Sequence, residues 1–308
     1  MEERTVAEVL KSRPTMEGAG VRLMRGFGSQ QLAYIFDPFL LFDDFGSNYP
    51  HEYMAGFPWH PHRGIETVTY LLKGEVQHED STGTKGVIRN GDLQWMSAGS
   101  GIFHAEMPRP RPKTLPEDIE DPEMRGFQLW VNIPAGKKMN EPNYKNLLRE
   151  SIPDVTMDDG TRVKLVAGEL KNVPGLGSIT GPVRDLPVDA HYLDISMQNH
   201  SELSYDVKDG YTSFAYVVEG EGVFDRHRGQ AAGPKSVVLY HRGGNRLTIR
   251  TDESPVRFLL ISGRPIMEPI AWNGPIVMNT GEQLAEAFHE LQTGEFIKHR
   301  ATSYDYIE

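Results

Sequence analysis

The sequence predicts an all-β protein built from two copies of one β-domain, with a short helix near the carboxy end. Three observations predict it. Glycine (31) and proline (21) are frequent and fall between short apolar runs, the grammar of many short strands joined by turns. Long helical periodicity is scarce. The segment Tyr70-Leu-Leu-Lys-Gly-Glu-Val76 returns as Tyr216-Val-Val-Glu-Gly-Glu-Gly222, an offset of 146 residues in a chain of 308.

The elements follow in order. Residues 6–10 read as a short strand or turn. Residues 67–72, 163–167, 192–197, 213–218 and 257–261 read as strands. The segment 92–99 has a rougher counterpart at 236–243. Residues 133–146 contain Pro134, Gly136 and Pro142 among polar neighbours and read as the linker. Thr280 can cap the helix, whose apolar face is Leu284, Ala287, Phe288 and Leu291 at helical spacing. The expected division is a first domain over 1–140 and a second over 141–308.

Composition excludes several classes. Apolar residues make up 38% and charged residues 24%, so a sizeable core is available. No apolar stretch approaches the ~20 residues of a membrane span, and Met1-Glu2-Glu3-Arg4 has no apolar signal core. The expectation is a cytoplasmic monomer with no membrane partner. The net charge of −11 disfavours direct nucleic-acid binding. Cysteine is absent, which removes disulfides, thiolate metal sites and cysteine nucleophiles. Any metal must be held by imidazole and carboxylate.

Two pairs offer such ligands. His60-Pro-His62 places two imidazoles on one face of a strand, and His104-Ala-Glu106 repeats that geometry 42 residues later. Continued at period two, the first face carries Glu66, Val68 and Tyr70, with Thr67 and Thr69 on the other. A single His-x-His is as often two ordinary polar residues at a strand start. Two such pairs in the same half of the repeat point instead to a metal. Three imidazoles and a carboxylate suit Fe, Mn, Co, Ni, Cu or Zn better than Ca or Mg. In the second copy the offset puts Asp206 and Lys208 where the histidine pair stands, so one metal per chain is expected. Glu66 is read as a supporting or strand-surface residue in preference to a further metal ligand, and His51 and His78 as loop residues. The glycine-rich stretch 175–181 lacks the context of a phosphate loop. Tyr304 and Tyr306 read as a terminal strand or fray.

The runs Asp37-Pro-Phe-Leu-Leu-Phe-Asp43, His60-Pro-His-Arg-Gly-Ile-Glu-Thr-Val-Thr-Tyr70, Gly91-Asp-Leu-Gln-Trp-Met96, Gly99 through Met107 and Gly274-Pro-Ile-Val-Met-Asn279 resemble the pirin family. The resemblance implies two stacked cupin β-barrels, a bicupin, with one iron site in the first. It carries over His60, His62, His104 and Glu106 as ligands, most readily to Fe(II). It also implies quercetin 2,3-dioxygenase activity in some members and regulatory protein partners in others.

Four protein ligands leave open positions on the metal, where a flavonol-type aromatic substrate and O2 could meet. Glu106 is the candidate base for the substrate hydroxyl. Phe57, Trp59, Met96, Phe103, Gln128 and Trp130 are the candidate pocket residues. The rival reading is an iron- or redox-sensing regulator that docks on an enzyme or transcription regulator. An open apolar cavity would favour the enzyme, and a closed site beside an exposed patch the sensor. A sugar-phosphate isomerase would want basic residues at the metal. Arg63 is the one basic neighbour, and strand periodicity turns it away.

Overall fold

The computed structural model describes residues 2–111, 122–227 and 229–299, together with the backbone of Tyr304–Ile307. It is mostly β, and the described residues divide into two compact units. The first comprises residues 13–149 and 266–308; the second comprises 1–12 and 150–265. The expected single cut after residue 140 is therefore corrected on three counts. Asn143–Leu147 is a strand, not linker: it pairs antiparallel with Leu93–Ser97 and buries Tyr144 and Leu147. Val6–Lys11 pairs with Ser236–Tyr240 and so belongs to the second unit. The carboxy-terminal segment belongs to the first, because Val277 accepts a lysine hydrogen bond there and donates its own N–H to Arg63.

In the first unit a large sheet runs in the spatial order Arg13–Glu17, Val21–Phe27, Phe39–Ser47, Met124–Asn132, Ile65–Lys73, Leu93–Ser97, Asn143–Leu147, Tyr304–Ile307. A smaller sheet runs Phe57–His62, Ile102–Arg109, Glu75–Asp80, Lys85–Ile88. Their facing side chains make one apolar cluster, with Leu23, Phe45, Leu71 and Met124 from the first and Val76 and Ile88 from the second. The second unit has the same plan. Its large sheet includes His191–Met197, Thr212–Gly220, Ser236–Tyr240 and Val256–Gly263, closed by a sheet containing Glu202–Asp206 and Arg246–Arg250. All five strands foreseen from the sequence are present, extended by a residue or more.

The carboxy-terminal helix, Gly281–Thr293, is held at its start by a reciprocal capping box between Thr280 and Gln283. It ends on Gly294 in the left-handed conformation. A short helix, Gln30–Ile35, has no counterpart in the sequence reading. Among the described residues, no helix is long and apolar enough to cross a membrane.

The period-two reading across residues 60–70 is also corrected. Phe57–His62 and Ile65–Lys73 are separate strands in different sheets, broken at Arg63-Gly64. Gly64 has φ +77, and a Cβ there would sit 2.0 Å from the carbonyl oxygen of Val277. The break resets the parity. Thr69 now faces the histidines, and Glu66 faces away to accept a bond from Trp95 Nε1 at 3.0 Å. Gly64→Ala should lower unfolding stability by about 2 kcal/mol or more, since backbone strain and a steric clash act together. Urea unfolding measures it; an unchanged midpoint would contradict this account of the turn.

Candidate metal centre

The two short ligand strands lie side by side. Phe57–His62 pairs antiparallel with Ile102–Arg109, with His60 directly opposite His104 and His62 opposite Ile102. Directly opposed residues share a face, so His60, His62 and His104 converge. Their ligand nitrogens all lie within 4.8 Å of one another, and the group could hold a metal ion. Among the described residues no other group of three histidine, aspartate or glutamate side chains has this geometry.

The hydrogen bonds fix the ring tautomers. His60 Nδ1 lies 2.8 Å from the Pro58 carbonyl, and His62 Nδ1 lies 3.1 Å from the Pro275 carbonyl. A carbonyl only accepts, so each Nδ1 carries the proton and each Nε2 presents a lone pair. Those two Nε2 atoms are 3.0 Å apart. Two lone pairs facing at that distance repel unless a proton or cation lies between them. His104 is 2% exposed, and neither of its ring nitrogens has a hydrogen-bond partner. Buried polar atoms are rarely left so. The donor set therefore fits a transition metal, which would satisfy all three imidazoles at once. Burial, aided by its histidine neighbours, holds His104 well below the usual imidazole range, and burial pushes His62 down to about 3. Both rings are thus neutral, the form that ligates.

Glu106 sits beside this group. Its Oε2 lies 3.9 Å from His104 Nε2. Its Oε1 lies 3.1 Å from the Thr69 hydroxyl, which is also 2.7 Å from Gln128 Oε1. One hydroxyl proton serves one of these acceptors at a time. Burial pushes the Glu106 carboxyl up to about 7, only partly offset by Thr69.

A cavity of about 700 Å³ opens onto the site. His60, His62, Glu106, Thr69, Phe57, Trp59, Gln128 and Trp130 line it. Two expected pocket residues do not. Met96 is buried in an apolar cluster with Leu40, Ile65 and Ile102, and Phe103 packs edge-on against Phe296. The sequence reading also missed the carboxy-terminal hairpin of Ala271–Asn273 and Ile276–Met278. Trp272 through Pro275 form a cavity wall, and the Pro275 carbonyl orients His62. No local signal links Pro275 to His62, 213 residues away.

His78 is a further correction. It is not in a loop but in Glu75–Asp80, buried, opposite Glu106, with Nε2 3.1 Å from Gln94 Nε2. His51 lies exposed in the single turn Pro50–Glu52. In the second unit Asp206 is half-exposed near Arg246, Lys208 pairs with Asp189, and His191 bonds Tyr205 Oη at 2.9 Å. Arg63 turns away from the site, as periodicity implied. It pairs with Glu290 at 2.7 Å and donates to the Ser100 and Phe296 carbonyls.

His104→Ala, which removes the ring that has no other partner, should abolish most metal binding. Metal analysis of the purified variant checks this, and full occupancy would refute it. Glu66 gives a contrasting control. Burial raises its carboxyl from 4.5 to about 7. The folded state then binds the proton more tightly, so this contribution to stability is full below 4.5 and lost as pH rises through 7. Glu66→Gln should keep the metal, flatten that decline and add on the order of 1–3 kcal/mol above pH 7. Thermal unfolding against pH, with metal content, tests it; an unchanged profile or a lost metal contradicts it.

Comparison with known proteins meets this geometry. Residues 20–131 match the family model for pirin, and residues 192–297 match that for the pirin C-terminal cupin domain. A pirin-like protein of Caulobacter vibrioides is 41% identical over 297 residues, 96% of this chain and all of that one. Pirin of Rattus norvegicus is 38% identical over 288 residues, covering 92% and 90% of the two chains. Among solved structures, a quercetin 2,3-dioxygenase from Acinetobacter baumannii is similar with a TM-score of 0.83 and 29% identity, covering 96% and 99%. The agreement spans both barrels as well as the histidine strands, and this chain belongs to the pirin family, as a protein of two cupin domains.

Proposed function

We propose that the protein is a metal-dependent dioxygenase acting on a flavonol-type aromatic substrate. The observation that carries this reading is the cavity: it is open, walled by Phe57, Trp59, Trp130 and Trp272, and ends on His60, His62 and Glu106. Such a cleft suits a flat aromatic ligand better than a protein surface. The similarity to the Acinetobacter quercetin 2,3-dioxygenase supports the same substrate class.

His60, His62, His104 and Glu106 would hold one divalent transition metal, most readily Fe(II), with Mn, Co, Ni, Cu or Zn as alternatives. Bound there, the metal would supply Lewis-acid chemistry to a substrate oxygen and, for the redox-active ions of that set, electron transfer. The rest falls to the chain. Trp130, edge-on to the His62 ring at 5.1 Å, walls the cavity beside that imidazole. Trp130 and Trp272 offer apolar faces against which a flat ring can lie. Glu106 takes the proton of the substrate hydroxyl, and Thr69 orients its carboxylate from the far side.

A sensor would need no such cleft. It becomes the better reading if the metal-loaded protein consumes no oxygen with any flavonol. The discriminating experiment is oxygen uptake by protein loaded in turn with Fe, Mn, Co, Ni and Cu. Glu106→Gln refines it. Three imidazoles remain, so much of the metal should stay bound. An amide cannot take the proton at neutral pH, so single-turnover rates should fall on the order of 10²–10⁴. Raising pH should restore part of the loss as the flavonol ionises unaided. Wild-type rates at pH 7 with metal retained would leave Glu106 without a role as base.

A further inference from the structure

A polar row crosses the cavity wall away from the histidines. Strand register places Gln94 beside Thr69, Thr69 beside Gln128, Gln128 beside Asp43, and Asp43 beside Arg25. Thr69, Gln128, Asp43 and Arg25 all line the cavity. The row's second member, Thr69, carries the hydroxyl that touches Glu106. The row ends in a bidentate ion pair, with Arg25 Nε and Nη2 donating to the two Asp43 oxygens at 2.9 and 2.8 Å. Arg25 Nη1 also meets Glu17 at 2.8 Å.

The fold does not require this polarity. The second barrel has the same transverse row, defined by the same pairings through the repeat. There it reads Val238, Ala215, Leu260, Leu193 and Leu165. All five lie in that unit's apolar core. Burying an ion pair in place of packed aliphatic side chains is seldom stabilising, so the row in the first barrel has a use other than stability.

Its chemistry is that of an acceptor. Two carboxylates face one guanidinium, which leaves a net negative wall with spare lone pairs. Burial raises the Asp43 carboxyl to about 6, against the pull of Arg25, so it is ionised at neutral pH. Asp43 lies two strand spacings from Thr69, roughly 10 Å along the sheet. That is about the reach of a flavonol from its metal-facing oxygens to its pendant ring.

We infer that Asp43, held by Arg25, selects substrates that carry a neutral hydroxyl donor on the ring remote from the metal, and rejects those carrying an anion there. The inference rests on the flavonol reading and names which flavonols the site takes. Asp43 is a specificity residue in this scheme, with Arg25 positioning it.

The test uses the full-length, metal-loaded protein under anaerobic conditions, so that binding is read without turnover. Three probes are titrated by tryptophan quenching: a flavonol with pendant-ring hydroxyls, the same flavonol without them, and one with a carboxylate in their place. The hydroxylated probe should bind about tenfold tighter than the bare one, as for a hydrogen bond to a charged acceptor, and the carboxylate probe weakest. Asp43→Asn should cut that preference below about threefold, with the hydroxylated probe losing several-fold more affinity than the bare one. A structural role would weaken both probes equally, and that result overturns the inference. So does a wild-type protein that does not discriminate among the probes, a comparison that needs no variant to fold. Binding of none of the three removes both this inference and the flavonol reading. Discrimination without oxygen uptake keeps the inference and removes the oxygenase.

Discussion

The first barrel depends on one electrostatic constraint. Three neutral imidazoles are buried with their lone pairs converging, and the protein offers His104 nothing to bond. Burying a polar nitrogen without a partner costs on the order of 1–3 kcal/mol, and opposed lone pairs add repulsion. A cation removes these costs together. The neighbouring architecture follows from holding the rings where one cation can do so. Two short strands supply the parity, and the turn at Gly64 releases the chain into the other sheet.

Holding the rings still falls to residues far away in the sequence. The Pro275 carbonyl sets the tautomer of His62, while Arg63, the next residue, is clamped by Glu290 and lies over the Phe296 ring at 4.2 Å. Lys138 is buried and donates to Gly64 O, Asn132 Oδ1 and Val277 O at 2.6 to 3.0 Å. Its three donors meet three oxygens, so the ammonium form is fully satisfied. These contacts explain why a segment beginning at residue 266 belongs to the first unit. That segment completes the support around the histidines, and rigid outer support is what keeps a metal site's first ligands in place.

How much was legible follows from range. The i, i+2 pairs were legible because strand parity is local, and the strands themselves because their apolar runs are bounded by glycine and proline. Parity failed at residue 64, where a left-handed glycine resets it; Glu66 and Thr69 exchanged faces as a result. His78 was misplaced because its neighbours Gln77, Glu79 and Asp80 are polar and hide a strand whose burial comes from its pairing with Ile102–Arg109. The domain boundary was misplaced because Asn143–Leu147 looks like linker until Leu93–Ser97 is beside it. Pro275 could not be found locally at all, since its contribution is a backbone carbonyl.

The two barrels show what a site costs the scaffold. At matched pairings the second barrel puts Ala215 where the first has Thr69, and Leu260 where the first has Gln128. The aliphatic version packs Ala215, Leu260 and Leu193 into one cluster. The polar version leaves a cavity of about 700 Å³ along the wall. Packed apolar area stabilises by about 25 cal/mol per Å², and an unfilled cavity forgoes that gain. In the second copy the matched places are filled by side chains of one apolar cluster. The first keeps Thr69, Gln128, Asp43 and Arg25 along its cavity, and a ligand bound there would contribute burial that these side chains do not. The two barrels are two solutions of one fold, separated by whether the inward face of the matched strands carries aliphatic or polar side chains.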